Sequence, residues 1–111
     1  MSANPSVLVS GVVLTGSAAV YATGPTGKKT TVKSASVTNT TAGVVALTVY
    51  RVPSGGSPAA GNTIISGRNL AVGETYNCPE LINKVLEPGD TLQAFGLGLS
   101  FDVSGAQSVI N

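Results

Sequence analysis

The chain has 111 residues, six of them Lys or Arg and five Asp or Glu, with no histidine, no tryptophan and one cysteine. A charged fraction of 10% is far below the roughly 25% of an ordinary soluble domain, and without imidazole the commonest acid-base group and metal ligand is missing. We therefore expect no catalytic, metal or cofactor site, and a net charge of +1 argues against nucleic acid, because neutralising phosphates takes a concentrated basic surface.

Residues 1–14 carry an apolar patch, Val7, Leu8, Val9, Val12, Val13 and Leu14. No basic region precedes it and it is far shorter than a bilayer crossing, so neither signal peptide, anchor nor membrane contact is expected, and synthesis is placed in the cytoplasm. The patch is either an arm that covers a neighbouring subunit or the first strand of the domain. Residues 15–111 are of a size for one domain with one core.

Ala18 to Ala22 leads into Gly24-Pro25-Thr26-Gly27, where proline presets φ for a β-turn and glycine suits its end. The two glycines stand two residues apart, not the four of a phosphate-binding loop, and a strand follows instead of a helix. Lys28, Lys29 and Lys33 cluster around this turn, and no acidic residue occurs before Glu74. They are either a solvated turn or a contact for an acidic partner surface.

Residues 29–53 read as two strands joined at Thr41-Ala42-Gly43, a β-hairpin rich in the Val and Thr that favour a pleated surface. Val45, Leu47 and Val49 share one face of its second strand, opposite Thr48 and Tyr50, the period of a half-buried strand. Pro53 to Gly61 holds three glycines and two prolines, a mobile surface loop by composition. Strand character resumes at Asn62 to Ser66, and a short strand at Thr75 to Cys78 follows a turn at Val72 to Glu74.

Pro79 to Leu86 is the only helix candidate, one or two turns long, opened by Pro79 and closed by Pro88-Gly89. Cys78 has no histidine to activate it and reads as buried and structural. Glu74, Glu80, Glu87 and Asp90 read as solvated carboxylates, lacking the dense Asp/Asn alternation of a calcium loop. Tyr21, Tyr50 and Tyr76 are too scattered for a stacking platform and suit packing at the core edge with the hydroxyl in water.

From Asp90 onward apolar residues alternate with polar ones, and the parity changes between Ala94 and Phe95. A bulge or turn near Gly96 to Gly98 therefore separates two final strands. About seven to eight short strands at regular spacing predict an all-β, antiparallel β-sandwich, Ig-like or jelly-roll-like, with at most one short helical turn.

The runs Lys29-Thr-Thr-Val-Lys-Ser-Ala-Ser-Val-Thr-Asn-Thr-Thr, Val-Ala-Leu-Thr-Val-Tyr-Arg-Val-Pro-Ser-Gly-Gly, Asn62-Thr-Ile-Ile-Ser, Gly-Glu-Thr-Tyr76 and Leu86-Glu-Pro-Gly-Asp-Thr-Leu-Gln-Ala94 resemble small virion proteins of tailed bacteriophages. The resemblance spans roughly residues 18–105. It implies a non-enzymatic decoration or cement protein that binds the assembled capsid, with the major capsid protein or other virion proteins as partners. It also implies a homo-oligomer, a trimer, located in the virion. A neck or tail component, or a small carbohydrate-binding adhesin, is the alternative. The resemblance carries over no site residues; the six apolar residues of 1–14 and Lys28, Lys29 and Lys33 are the candidate partner contacts. Charge is also sorted along the chain: Lys28, Lys29, Lys33 and Arg51 give residues 1–67 a charge of +4, while Arg68 and Lys84 against Glu74, Glu80, Glu87, Asp90 and Asp102 give residues 68–111 a charge of −3.

Overall fold

Branched residues alternating with small polar ones build nine strands in a computed structural model that describes residues 4–109. They are β1 (Asn4–Val13), β2 (Ala19–Thr23), β3 (Lys28–Asn39), β4 (Val45–Val52), β5 (Thr63–Leu70), β6 (Thr75–Tyr76), β7 (Val85–Leu86), β8 (Thr91–Phe95) and β9 (Leu99–Val109). Sheet I has the order β1-β9-β3-β6, with β7 also on β3, and sheet II has the order β2-β8-β4-β5. All pairings are antiparallel.

The short strands β6 and β7 lie along the same side of β3 and together do the work of one interrupted strand. Counted so, the chain is an eight-stranded sandwich in which every connection except β4–β5 crosses between sheets. That is the connectivity of a jelly roll, one of the two sandwich types expected.

The strands at 29–53 lie where the sequence places them, but they are not a hairpin. β3 pairs with β9 in sheet I, while β4 pairs with β8 and β5 in sheet II. The reason is Asn39, which is fully buried at the end of β3. Its Nδ2 donates to the carbonyls of Gly43 at 2.8 Å and Leu70 at 2.9 Å, and its Oδ1 accepts from the Thr41 amide at 2.9 Å and the Thr41 hydroxyl at 2.7 Å. A side chain that supplies these bonds from inside the corner turns the chain across the core instead of back along its own sheet.

Residues 79–86 are not a helix either. A single turn of 3-10 helix covers Pro79–Leu81, and a second such turn covers Ala60–Asn62 at the end of the segment whose composition reads as a loop. Cys78 and Asn83 take left-handed conformations at φ 47° and 68°, which ends any continuous helix, and Val85 and Leu86 then join β3. The final turn falls at Gly96 to Gly98 as expected, between β8 and β9.

The N-terminal segment is a strand of the sandwich: β1 pairs with β9 from Asn4 opposite Gln107 to Val13 opposite Ser100. Val9 and Leu14 join the core with Val32, Val37, Leu47, Val49, Leu70, Leu81, Leu92, Leu99, Phe101 and Val103. Phe101 meets Tyr21 edge to face, with ring centroids 6.1 Å apart at 80°, a favoured aromatic geometry. A turn forms here one residue later than predicted: the Lys28 amide donates to the Pro25 carbonyl at 3.3 Å, so proline opens the turn instead of taking its second position, and Gly27 stands third with φ 79°, where a type II turn needs glycine. Gly24 is obligatory there, because a Cβ would collide with the Glu87 carbonyl.

Candidate functional site

In β9, Leu99, Phe101 and Val103 point into the core, so Ser100, Asp102 and Ser104 point outward. The register with β3 sets Thr38 opposite Ser100, Ser36 opposite Asp102 and Ser34 opposite Ser104. Strand β1 adds Val7 beside Ser104 and Val13 beside Ser100, and these valines are 63% and 66% exposed. The outer face of sheet I is thus a field of hydroxyls with one carboxylate, bordered along β1 by two exposed branched side chains.

A groove of about 310 Å³ opens on this face, lined by Ser34, Ala35, Ser36, Asn77, Pro79, Ile82, Asp102 and Ser104. It lies where the strand pairing along β3 is interrupted between β6 and β7. There the chain leaves the sheet at Cys78 and returns at Asn83, whose amide donates to the Val32 carbonyl at 2.7 Å. The buried side chains of Cys78 and Leu81 hold this excursion in the core, leaving Pro79 and Ile82 as an apolar wall facing a hydroxyl floor.

The other carboxylates serve the fold. Asp90 accepts from the amides of Ser54 and Glu87, both at 3.0 Å. Glu74 accepts from the Ala71 amide at 2.8 Å, Glu80 accepts from the Tyr76 hydroxyl at 2.6 Å, and Glu87 stands 3.6 Å from Lys29. Asp90 is buried, so it is a structural group and not a solvated one. Asp102 is exposed and takes part in no hydrogen bond or ion pair among the described residues. Its only sequence signal is a charge at an outward position of a strand otherwise lined with serine.

At one seam between the sheets, the Arg68 guanidinium lies 3.9 Å from the centroid of the Tyr76 ring, a cation–π contact. Burial, with the hydrogen bond to Glu80 adding to it, pushes the Tyr76 hydroxyl up to about 12. The Tyr76 hydroxyl is therefore bonded to a carboxylate, where water was expected. Burial likewise pushes the Cys78 thiol up to about 12, and the thiol is buried in the core as the sequence suggested.

The candidate contacts from the sequence scatter. Val7 and Val13 are exposed on the outer face of sheet I, whereas Leu8 and Val12 are half-buried and pack against the core. Val9 and Leu14 are buried inside the chain itself and cannot contact a partner. Lys28 is half-buried and Lys29 and Lys33 are exposed, spread along β3 with Lys33 at a bulge between Val32 and Ser34. Lys29 pairs with Glu87 from the acidic half of the chain, so the two halves partly neutralise each other.

The outer face of sheet II differs. Val20, 52% exposed, stands opposite Gln93, and Tyr50 and Phe95 form a half-buried ring pair with centroids 6.2 Å apart. Among the described residues no three Cys, Asp or Glu side chains converge, and no helix is long and apolar enough to cross a membrane. The chain matches no protein-family model, no curated protein and no solved structure.

Proposed function

We propose that this chain is a non-enzymatic structural protein of a tailed-phage virion, a decoration or cement protein that docks on the assembled capsid through the outer face of sheet I. The observation that carries the reading is the pair Val7 and Val13, left exposed on the edge strand β1 beside rows of serine and threonine. Edge strands are protected by charge, proline or bulges; Asn4–Val13 has no charge but carries Pro5 and two bulges, so its backbone edge is blunted while Val7 and Val13 stay exposed on the face. Jelly rolls are also the sandwich of many viral capsid and lectin domains, which makes the reading congruent with the fold, although a fold alone assigns no role. Repeated weak contacts on a symmetric lattice suit a charge-poor surface, because avidity replaces strong single sites. In this reading the chain acts as a homo-oligomer, a trimer, on the major capsid protein.

The test replaces Val7 and Val13 with serine together and measures occupancy on purified particles. Occupancy should drop while the fold is retained. Full occupancy would sink the docking assignment.

A second reading, a small carbohydrate-binding adhesin, draws on the Tyr50–Phe95 pair on the opposite sheet. Glycan-array binding that Phe95→Ala abolishes would favour it over capsid docking.

A further inference from the structure

We propose that the groove beside Asp102 receives a single lysine or arginine side chain presented by a partner protein. This rests on the docking surface described above and names the chemistry of what it meets. Three features of the groove select that occupant.

The first is charge. Glu74, Glu80, Glu87 and Asp90 are each engaged by a donor of this chain, and Asp102 is the remaining carboxylate of the described residues. It stands at the centre of the hydroxyl field with no cation lining the groove. The second is the wall. Pro79 and Ile82 give an apolar surface along one side of about 310 Å³, which suits the methylene stem of a long basic side chain whose charged head continues to the carboxylate. The third is the floor. Ser34, Ser36 and Ser104 surround Asp102 in register, so hydroxyl oxygens are available to the N–H groups of a guanidinium or ammonium that the carboxylate does not take.

A bare apolar ligand would leave Asp102 desolvated, and an anionic one would meet like charge. A sugar would find hydroxyls but no aromatic face in this groove, since none of its lining residues is aromatic.

The experiment is an NMR titration of the full chain with two blocked pentapeptides, identical except that one carries a central arginine and the other its uncharged isostere citrulline. The arginine peptide should shift the amides of Ser34, Ser36, Ile82, Asp102 and Ser104 saturably, with a Kd on the order of 1 mM. The citrulline peptide should bind about fivefold more weakly, the upper range for an exposed ion pair, and the preference should fade as salt is raised. In Asp102→Asn the two peptides should bind alike, whereas Glu87→Gln should keep the preference.

Equal binding of the two peptides to the unaltered chain would overturn the assignment, as would shifts centred on Glu74 and Glu80 or no response at all. Such a result, with occupancy still lost in the Val7/Val13 double variant, removes the groove's ligand and leaves the docking face standing. A preserved arginine preference with unchanged occupancy does the reverse.

Discussion

Sheet I turns Ser34, Ser36, Thr38, Ser100, Asp102 and Ser104 outward, with Val7 and Val13 along its edge, whereas sheet II turns out Val20, Thr48, Tyr50, Gln93 and Phe95. Both faces arise from one rule, the alternation of side chains along a strand, and both cover the same core. They differ in what the fold has already used. On sheet II the two outward rings, Tyr50 and Phe95, pack on each other, and Val20 is the large outward group left exposed. On sheet I the carboxylate is uncommitted, the valines are exposed, and an interruption in the edge pairing leaves a groove. An outer face can therefore be closed by its own side chains or left open for a partner, and the polarity of the residues does not decide which.

The largest effect expected is one that separates both faces from the seam joining them. Tyr76 and Cys78 are held protonated with values raised from 10 and 9 to about 12. A raised value in the folded state means that the unfolded chain loses its proton first, so stability is complete below about pH 9 and falls as pH rises toward 12. The urea midpoint should decline over that interval, and Cys78→Ala should flatten its start. Over the same interval in folded protein, a thiol reagent should reach Cys78 only as fast as the chain opens. A flat midpoint through pH 11 would contradict the burial of Cys78 and the hydrogen bond between Tyr76 and Glu80.

Asn39→Ala comes next. It removes the side chain at the crossing from sheet I to sheet II, taking the Asn39 donor from the Leu70 carbonyl and the acceptor from the Thr41 amide, while the Gly43 carbonyl keeps the Thr41 hydroxyl, and it should cost about 3 kcal/mol in urea unfolding. Gly105→Ala tests sheet I alone. A Cβ there would collide with the Thr31 carbonyl of the neighbouring strand, and a loss of about 2 kcal/mol is expected. Phe95→Ala tests the outer face of sheet II, where loss of the ring pair should cost about 1 kcal/mol. Asp102→Asn, on the open face, should change stability by less than about 0.5 kcal/mol. If Asp102→Asn destabilised the fold more than Phe95→Ala, the contrast between a committed and an uncommitted face would be wrong.

The strands were legible because Val and Thr mark them wherever they pair, and the break at Gly96 to Gly98 was legible because apolar parity changes there. The partners of those strands were not. A period of two is the same in either sheet, so Thr41-Ala42-Gly43 reads as a hairpin turn, and it takes the pairing of β3 with β9 and of β4 with β8 and β5 to show that the chain crosses over at Asn39. The stretch after Pro79 misled for a related reason: one proline at a first turn fits a 3-10 turn as well as a helix, and the left-handed Cys78 and Asn83 have no signature in composition. Val7 and Val13 were visible as part of an apolar patch, but sorting them from Val9 and Leu14 needed the bulges that β1 makes against β9. Asp102 was passed over because a charge at an outward strand position looks solvated until the uses of the other four carboxylates are known.

The most direct test of the docking face is cryo-electron microscopy of virions that carry the chain, compared with particles lacking it. Capsid docking as proposed requires density for the sandwich at symmetry-related capsid positions, with sheet I against the shell and Val7, Val13 and Asp102 in the contact. Sandwiches seated through Val20, Tyr50 and Phe95 of sheet II, or particles with no such density, would contradict it.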